Sequence, residues 1–162
     1  MQAFRRRFYH NPGALWRDVR AVAARRRAQG SVMQGDVLHP AFRRRLMLAV
    51  TAVNGCRYCS YFHAHQALKQ GIAPAEIKAL GDGLFQDCPD QELPALLYAQ
   101  HWAATDAHPD PVARERLLAI YGPTMVEAIE LALCTIRVGN LLGNTGDYAL
   151  YRLSFGRWGR AA

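Results

Sequence analysis

No stretch of this 162-residue chain alternates apolar and polar residues with period two, whereas apolar residues recur every third or fourth position behind a series of helix-start signals. A chain with that pattern has one fold class open to it, all-α. Asn11-Pro12 pairs a capping side chain with a proline whose missing N–H costs nothing in a first turn. The helix it opens is predicted to run to about Gln29 and stop at Gly30, with Leu15, Val19, Val22 and Ala23 on its apolar face. Pro40 opens the next, with Phe42, Leu46, Ala49, Val50 and Val53 along one side. Arg43, Arg44 and Arg45 wrap its first turn, where cations oppose the helix dipole, and an acidic surface or a bound anion is the expected compensation. Asn54-Gly55 breaks this helix, and a third is predicted through His63 to Gln70, closed by Gly71. Ala73-Pro74 begins a short one through Leu80, and 81–89 reads as loop. Asp90 is expected to cap a helix to about Thr105, and Asp110-Pro111 another, ended by Gly122. The last begins near Pro123, carries Met125, Ile129, Leu133 and Ile136, and is expected to bend over the glycine-rich segment 140–146.

The length suits one domain spanning 1–162, and 51% apolar residues are enough for a packed core. The net charge of +7 is unevenly distributed: eleven arginines face two aspartates in residues 1–50, whereas eleven acidic residues outnumber six basic ones in 51–150. Residues 1–30 thus read as a basic helical arm. Without a finger, a glycine loop or a basic–aromatic repeat beside it, nucleic acid and membrane are not the expected partners, and packing between subunits is. The N-terminal residues lack the apolar run of an export signal, no uninterrupted run of eighteen apolar residues suggests a membrane span, and a cytoplasmic protein is expected.

Cys56-Arg-Tyr-Cys59 follows the Asn54-Gly55 turn and opens a helix. Backbone N–H groups at a helix start stabilise a thiolate, and a two-residue spacing lets the thiols close into a disulfide. Arg57 adds a cation. His63 stands four residues after Cys59 and seven after Cys56, so all three side chains share a helix face. Two thiols and an imidazole that carries protons are what two-electron thiol chemistry requires. Structural zinc is the competing use of such residues, but only these three ligands are local, and the fourth would have to be Cys88 from the loop. Cys88 reads as an exposed thiol without a helper, Cys134 as a core thiol, and His65 as lying off the site face.

The run from Leu46 through Asn54-Gly55, Cys56-Arg-Tyr-Cys59 and His63 to Ala67-Leu68, followed by Gly71, resembles the core of the carboxymuconolactone decarboxylase / AhpD-like family. The likeness covers about residues 38–80, a core helical hairpin. It implies a compact helical subunit in a homo-oligomer, a trimer or a hexamer, with the site near subunit contacts. It also implies, for the alkylhydroperoxidase branch, that Cys59 attacks a hydroperoxide, Cys56 resolves the product and His63 relays the proton. The decarboxylase branch lacks the cysteine pair. Two positions depart from the alkylhydroperoxidase pattern. Arg44 stands where that branch has a glutamate twelve residues before the first cysteine, and Tyr58 where it has a second histidine. Arg44 is able to hold a thiolate or an anionic substrate but not to act as a base; Glu127 or Glu130 is the expected substitute for the missing carboxylate.

Three functions therefore stand side by side. The first is a thiol-dependent reductase of hydroperoxides or disulfides, supplied by an external thiol. The second is acid–base chemistry on a small carboxylated substrate, with His63 as base and an arginine as anchor. The third is a basic helical binding module. Nothing in the sequence indicates a flavin, haem, nucleotide or obligatory metal. Asn140, Asn144 and Asp147 are expected to cap or bend the last helix or to line a neighbouring pocket, and Tyr58, Tyr61, Phe62, Trp102 and Trp158 to wall an apolar one.

Overall fold

The computed structural model describes residues 4–25 and 37–159. Among the described residues six α-helices follow one another: α1 (Pro12–Ala24), α2 (Pro40–Asn54), α3 (Arg57–Lys69), α4 (Pro74–Gly81), α5 (Leu93–Ala104) and α6 (Pro111–Leu153). A 3₁₀ turn at Asp90–Glu92 precedes α5, and no strand occurs among the described residues. The chain is an all-α bundle.

Local chemistry starts the helices where the sequence marks them. The Asn11 side chain accepts from the Ala14 N–H at 2.8 Å, and the Asp110 carboxylate from the Val112 N–H at 2.8 Å, each with proline in the first turn. α1 ends at Ala24, and the predicted stop at Gln29 and Gly30 lies outside the described residues. Asp90 does not cap α5. It sits in the 3₁₀ turn, and α5 starts at Leu93 with Pro94 in its first turn. Gly122, at φ 74° and ψ 167°, breaks α6 into two segments joined without a loop, as Gly122-Pro123 foretells. The expected bend over 140–146 is absent, because that glycine-rich stretch keeps helical dihedrals through to Leu153.

α2 is the hub and packs against α3, α4, α5 and α6. It is buried almost all round rather than along one stripe, from Ala41 and Phe42 to Leu46 through Thr51. Of its three first-turn arginines, Arg45 finds acidic counterparts inside the molecule, whereas Arg44 meets His63. Arg45 pairs with Glu76 of α4 and, at 3.2 Å, with Glu92, so the dipole penalty expected at this turn is offset by the chain's own acids. α6 has the length and apolar content to cross a membrane, yet here Val126, Ile129, Leu131, Leu133 and Ile136 form the core. The N-terminal segment lies on the bundle. Arg6 pairs with the buried Asp147 of α6 and donates to the Gly159 carbonyl, and Arg7 donates to the Ala103 and Ala104 carbonyls.

Candidate active site

The turn between α2 and α3 sets the geometry of the cysteines. Gly55 adopts φ 72°, a left-handed value that closes α2 by returning its N–H to the Thr51 carbonyl. Cys56 follows as the N-cap of α3, fully buried, and its Sγ accepts from the Cys59 N–H. One turn on, the Cys59 Sγ stands 3.0 Å from the Cys56 Sγ, and both thiols are free. α6 makes room for the pair. A Cβ on Gly143 would stand 3.1 Å from the Cys56 Sγ, and one on Gly139 would stand 4.0 Å from the Cys59 Sγ.

The two sulfurs divide the proton unequally. The hydrogen bond from Cys59, helped by the backbone N–H groups of Cys59 and Tyr58, brings Cys56 down to about 6 against the opposing effects of burial and the Asp147 charge. The same hydrogen bond and burial push Cys59 upward, and only the Asn140 side chain pulls the other way. The negative charge of the pair thus rests on Cys56, the buried thiol that the resemblance casts as the resolving one, while the half-buried Cys59 is the more open sulfur.

His63, one turn beyond Cys59, is buried, and its Nδ1 lies 2.9 Å from Nη1 of Arg44. A guanidinium only donates, so Nδ1 accepts and the neutral ring carries its proton on Nε2. Burial first, then the Arg44 and Arg43 charges, lower His63 to about 4. The imidazole is therefore uncharged near neutral pH, with its lone pair already engaged, and the expected base beside the thiols is not poised. α3 carries two constellations: the dithiol with Asn140, and His63 with two arginines. Arg44 thus orients the imidazole by donating to Nδ1 and adds positive charge beside it.

Neither expected carboxylate reaches His63. Glu130 is taken by the Tyr98 hydroxyl at 2.9 Å and Arg114 Nε at 2.8 Å, and Glu127 lies exposed on α6. The Tyr58 hydroxyl donates to Asp147 at 3.0 Å, and Arg57 reaches the same carboxylate at 2.9 Å, tying the start of α3 to α6. Asn140 and Asn144 brace this junction instead of bending a helix. Asn140 donates to the Thr51 hydroxyl and accepts from Asn54, while Asn144 donates to the Asn54 and Arg7 carbonyls. Cys88 is buried rather than exposed, and burial beside Glu76 pushes its thiol up to about 12. Cys134 is half-buried at a cavity wall rather than in the core. The aromatics do not wall one pocket. Tyr58, Tyr61 and Phe62 are exposed on α3, Trp158 is exposed near the C-terminus, and Trp102 is buried in α5. Among the described residues no group of three or more His, Cys, Asp or Glu side chains is placed to hold a metal ion.

A family model described as the carboxymuconolactone decarboxylase family matches residues 20–105. The chain belongs to that family. The matched segment contains α2, α3, α4 and α5, hence both cysteines, His63 and Arg44. Comparison with curated proteins and with solved structures gave no match. Membership in the carboxymuconolactone decarboxylase family makes catalysis the class of function, and the family's name is that of a non-redox reaction. Three contributors escaped the reading of the sequence: Gly139 and Gly143, whose four-residue spacing signals close approach to a helix, and Arg43, whose charge acts on His63 across the bundle.

Proposed function

We propose that this protein is a thiol-dependent oxidoreductase that reduces hydroperoxides or disulfides through Cys56 and Cys59. One observation carries the reading: a free dithiol with sulfurs 3.0 Å apart at a helix N-terminus, one of them ionised near neutral pH. A thiolate of the pair attacks the terminal oxygen of ROOH, the O–O bond breaks, and the leaving RO⁻ takes a proton as ROH. The other thiol then attacks the sulfenic sulfur, releasing water and leaving a disulfide. An external thiol reductant returns two electrons and two protons. Proton exchange along the 3.0 Å contact lets the charge that rests on Cys56 serve the more open Cys59. His63 enters as a neutral donor through Nε2–H. The subunits associate as a trimer or hexamer in the cytoplasm, with the exposed aromatic face of α3 as the surface covered. One equivalent of an organic hydroperoxide, added to reduced, metal-free protein, is expected to remove about two mass units, mapping to Cys56–Cys59 and reversed by a dithiol. Both thiols staying alkylatable over many minutes would overturn the proposal.

The family's name and the His63 cluster favour a second reading, non-redox acid–base chemistry on a small carboxylated substrate. Arg44 and Arg43 bring positive charge to His63, the Arg44 Nε has no partner, and no carboxylate is among the groups that shift His63. A substrate carboxylate would draw Arg44 away, freeing Nδ1 and raising the imidazole toward a useful base. Turnover of such a substrate that survives replacement of both cysteines by serine, and is lost in His63→Gln, selects this reading over the first.

A further inference from the structure

A cavity of about 320 Å³, away from the dithiol, opens between α1, the turn after α5 and the middle of α6. Its charged lining is unbalanced: four guanidiniums against two carboxylates. Both acids are already engaged. Asp18 takes Arg137 Nε at 2.7 Å and the Tyr9 hydroxyl at 2.9 Å, and Glu130 takes Arg114 and Tyr98. Among the described residues, the Arg25 guanidinium donates to the Ala21 carbonyl of its own helix at 3.1 Å and meets no carboxylate.

Arg137 is the decisive residue. It is 2% exposed, and Nε and Nη2 are held by Asp18 and, at 2.7 Å, by Asp106. Its Nη1 is buried and has no hydrogen-bond partner among the described residues. A buried guanidinium N–H left without an acceptor is expensive and uncommon, and it calls for an acceptor from outside the chain. The adjoining turn is strained as well, with Asp106 at φ 58° and Ala107 at φ 65°, two consecutive non-glycine residues in the left-handed region. That strain holds the Asp106 carboxylate on Arg137 and Ala107 in the cavity wall, and strain of this kind gathers at ligand clamps. Trp102, Ala21 and Pro109 give the wall its apolar part, with His108 beside them.

We infer that this cavity binds a small organic carboxylate, its charged end drawn by Arg137 and Arg25 and its apolar body laid against Trp102. A guanidinium fork matches a carboxylate in shape and charge, and about 300 Å³ is enough for a small organic ligand. The site does not depend on the redox reading, and the half-buried Cys134 in its wall reports occupancy.

The test compares phenylacetate with the neutral phenylacetamide on the full chain, by calorimetry and by the rate of iodoacetamide modification at Cys134 mapped by mass. Phenylacetate is expected to bind and to slow Cys134 modification by about fivefold at saturation, and phenylacetamide to do neither. Arg25→Gln is expected to weaken phenylacetate by about tenfold. Ala21→Leu, which fills the cavity, is expected to abolish binding while the circular dichroism spectrum and thermal unfolding remain those of the parent. Equal protection by acid and amide, unchanged binding in either variant, or no heat and no protection at millimolar phenylacetate would overturn the inference. None of these outcomes bears on the Cys56–Cys59 pair, whose test is the disulfide mass shift.

Discussion

At the scale of single residues, hydrogen bonding decides which thiol is acidic. Cys56 owes its fall to about 6 first to the Cys59 thiol, and Cys59 is raised by the same contact. Thiolate absorbance of the reduced protein is therefore expected to rise with a midpoint near 6. In Cys59→Ala the remaining Cys56 loses its largest stabilising group and should titrate at least one unit higher. An unmoved midpoint would mean that the helix N-terminus alone makes the anion. His63 gives a second pH signature. An imidazole in the unfolded chain takes a proton near 6.5, whereas the folded one resists until about 4, mainly through burial. Between those values the unfolded state binds more protons, so stability rises with pH through the window. The contribution is complete above about 6.5 and is lost progressively toward 4, by on the order of 3 kcal/mol. Denaturant melts at pH 4 to 7 should show this slope in the parent and a shallower one in His63→Gln; equal slopes would refute the assignment.

At the scale of elements, close approach of α3 to α6 explains a glycine spacing that helix propensity would argue against. Gly139 and Gly143 sit inside α6, where replacement by alanine ordinarily stabilises by about 1 kcal/mol. Gly139→Ala, with its nearest contact at 4.0 Å, should gain most of that amount. Gly143→Ala places a methyl 3.1 Å from the Cys56 Sγ, and overpacking of about 1–3 kcal/mol should cancel or reverse the gain and shift the thiol titration. Thermal unfolding of the two variants, side by side, checks both signs. The helix starts were legible because a cap and a proline are local chemistry, as at Asn11-Pro12 and Asp110-Pro111. The start of α5 was not. Asp90 has the composition of a cap, but the Pro89 carbonyl accepts the Glu92 N–H and tightens the chain into a 3₁₀ turn before Leu93. The segment 140–146 reads as a bend in sequence because the cysteine that Gly143 must clear, Cys56, lies more than eighty residues away.

At the scale of the whole molecule, α3 leaves Tyr61 80% exposed and Tyr58 and Phe62 about half exposed beside the candidate site. Positions i, i+3 and i+4 share one helix face, and an aromatic patch of that kind is more often covered than left to water. Sedimentation equilibrium is expected to give the mass of three or six subunits for the parent and a smaller species for Tyr61→Glu. A monomeric parent would refute the proposed association. Next to that face the chain closes on itself, where Arg6 joins Asp147, the partner of Tyr58 and Arg57, to the Gly159 carbonyl and so links both ends of the described chain.

What the sequence determined by itself is what lies within one or two helical turns: the all-α class, the helix starts, and the register that sets Cys56, Cys59 and His63 on α3. Helical period and capping act over a few residues, so they can be read in order along the chain. Only the tertiary structure decided how those groups are charged. Arg44 meets His63 from nineteen residues upstream, Glu76 and Glu92 neutralise Arg45, and burial turns His63 from a base into a neutral donor. Desolvation and Coulomb forces depend on which side chains the fold brings together and how far it removes them from water, and neither is written in sequence separation.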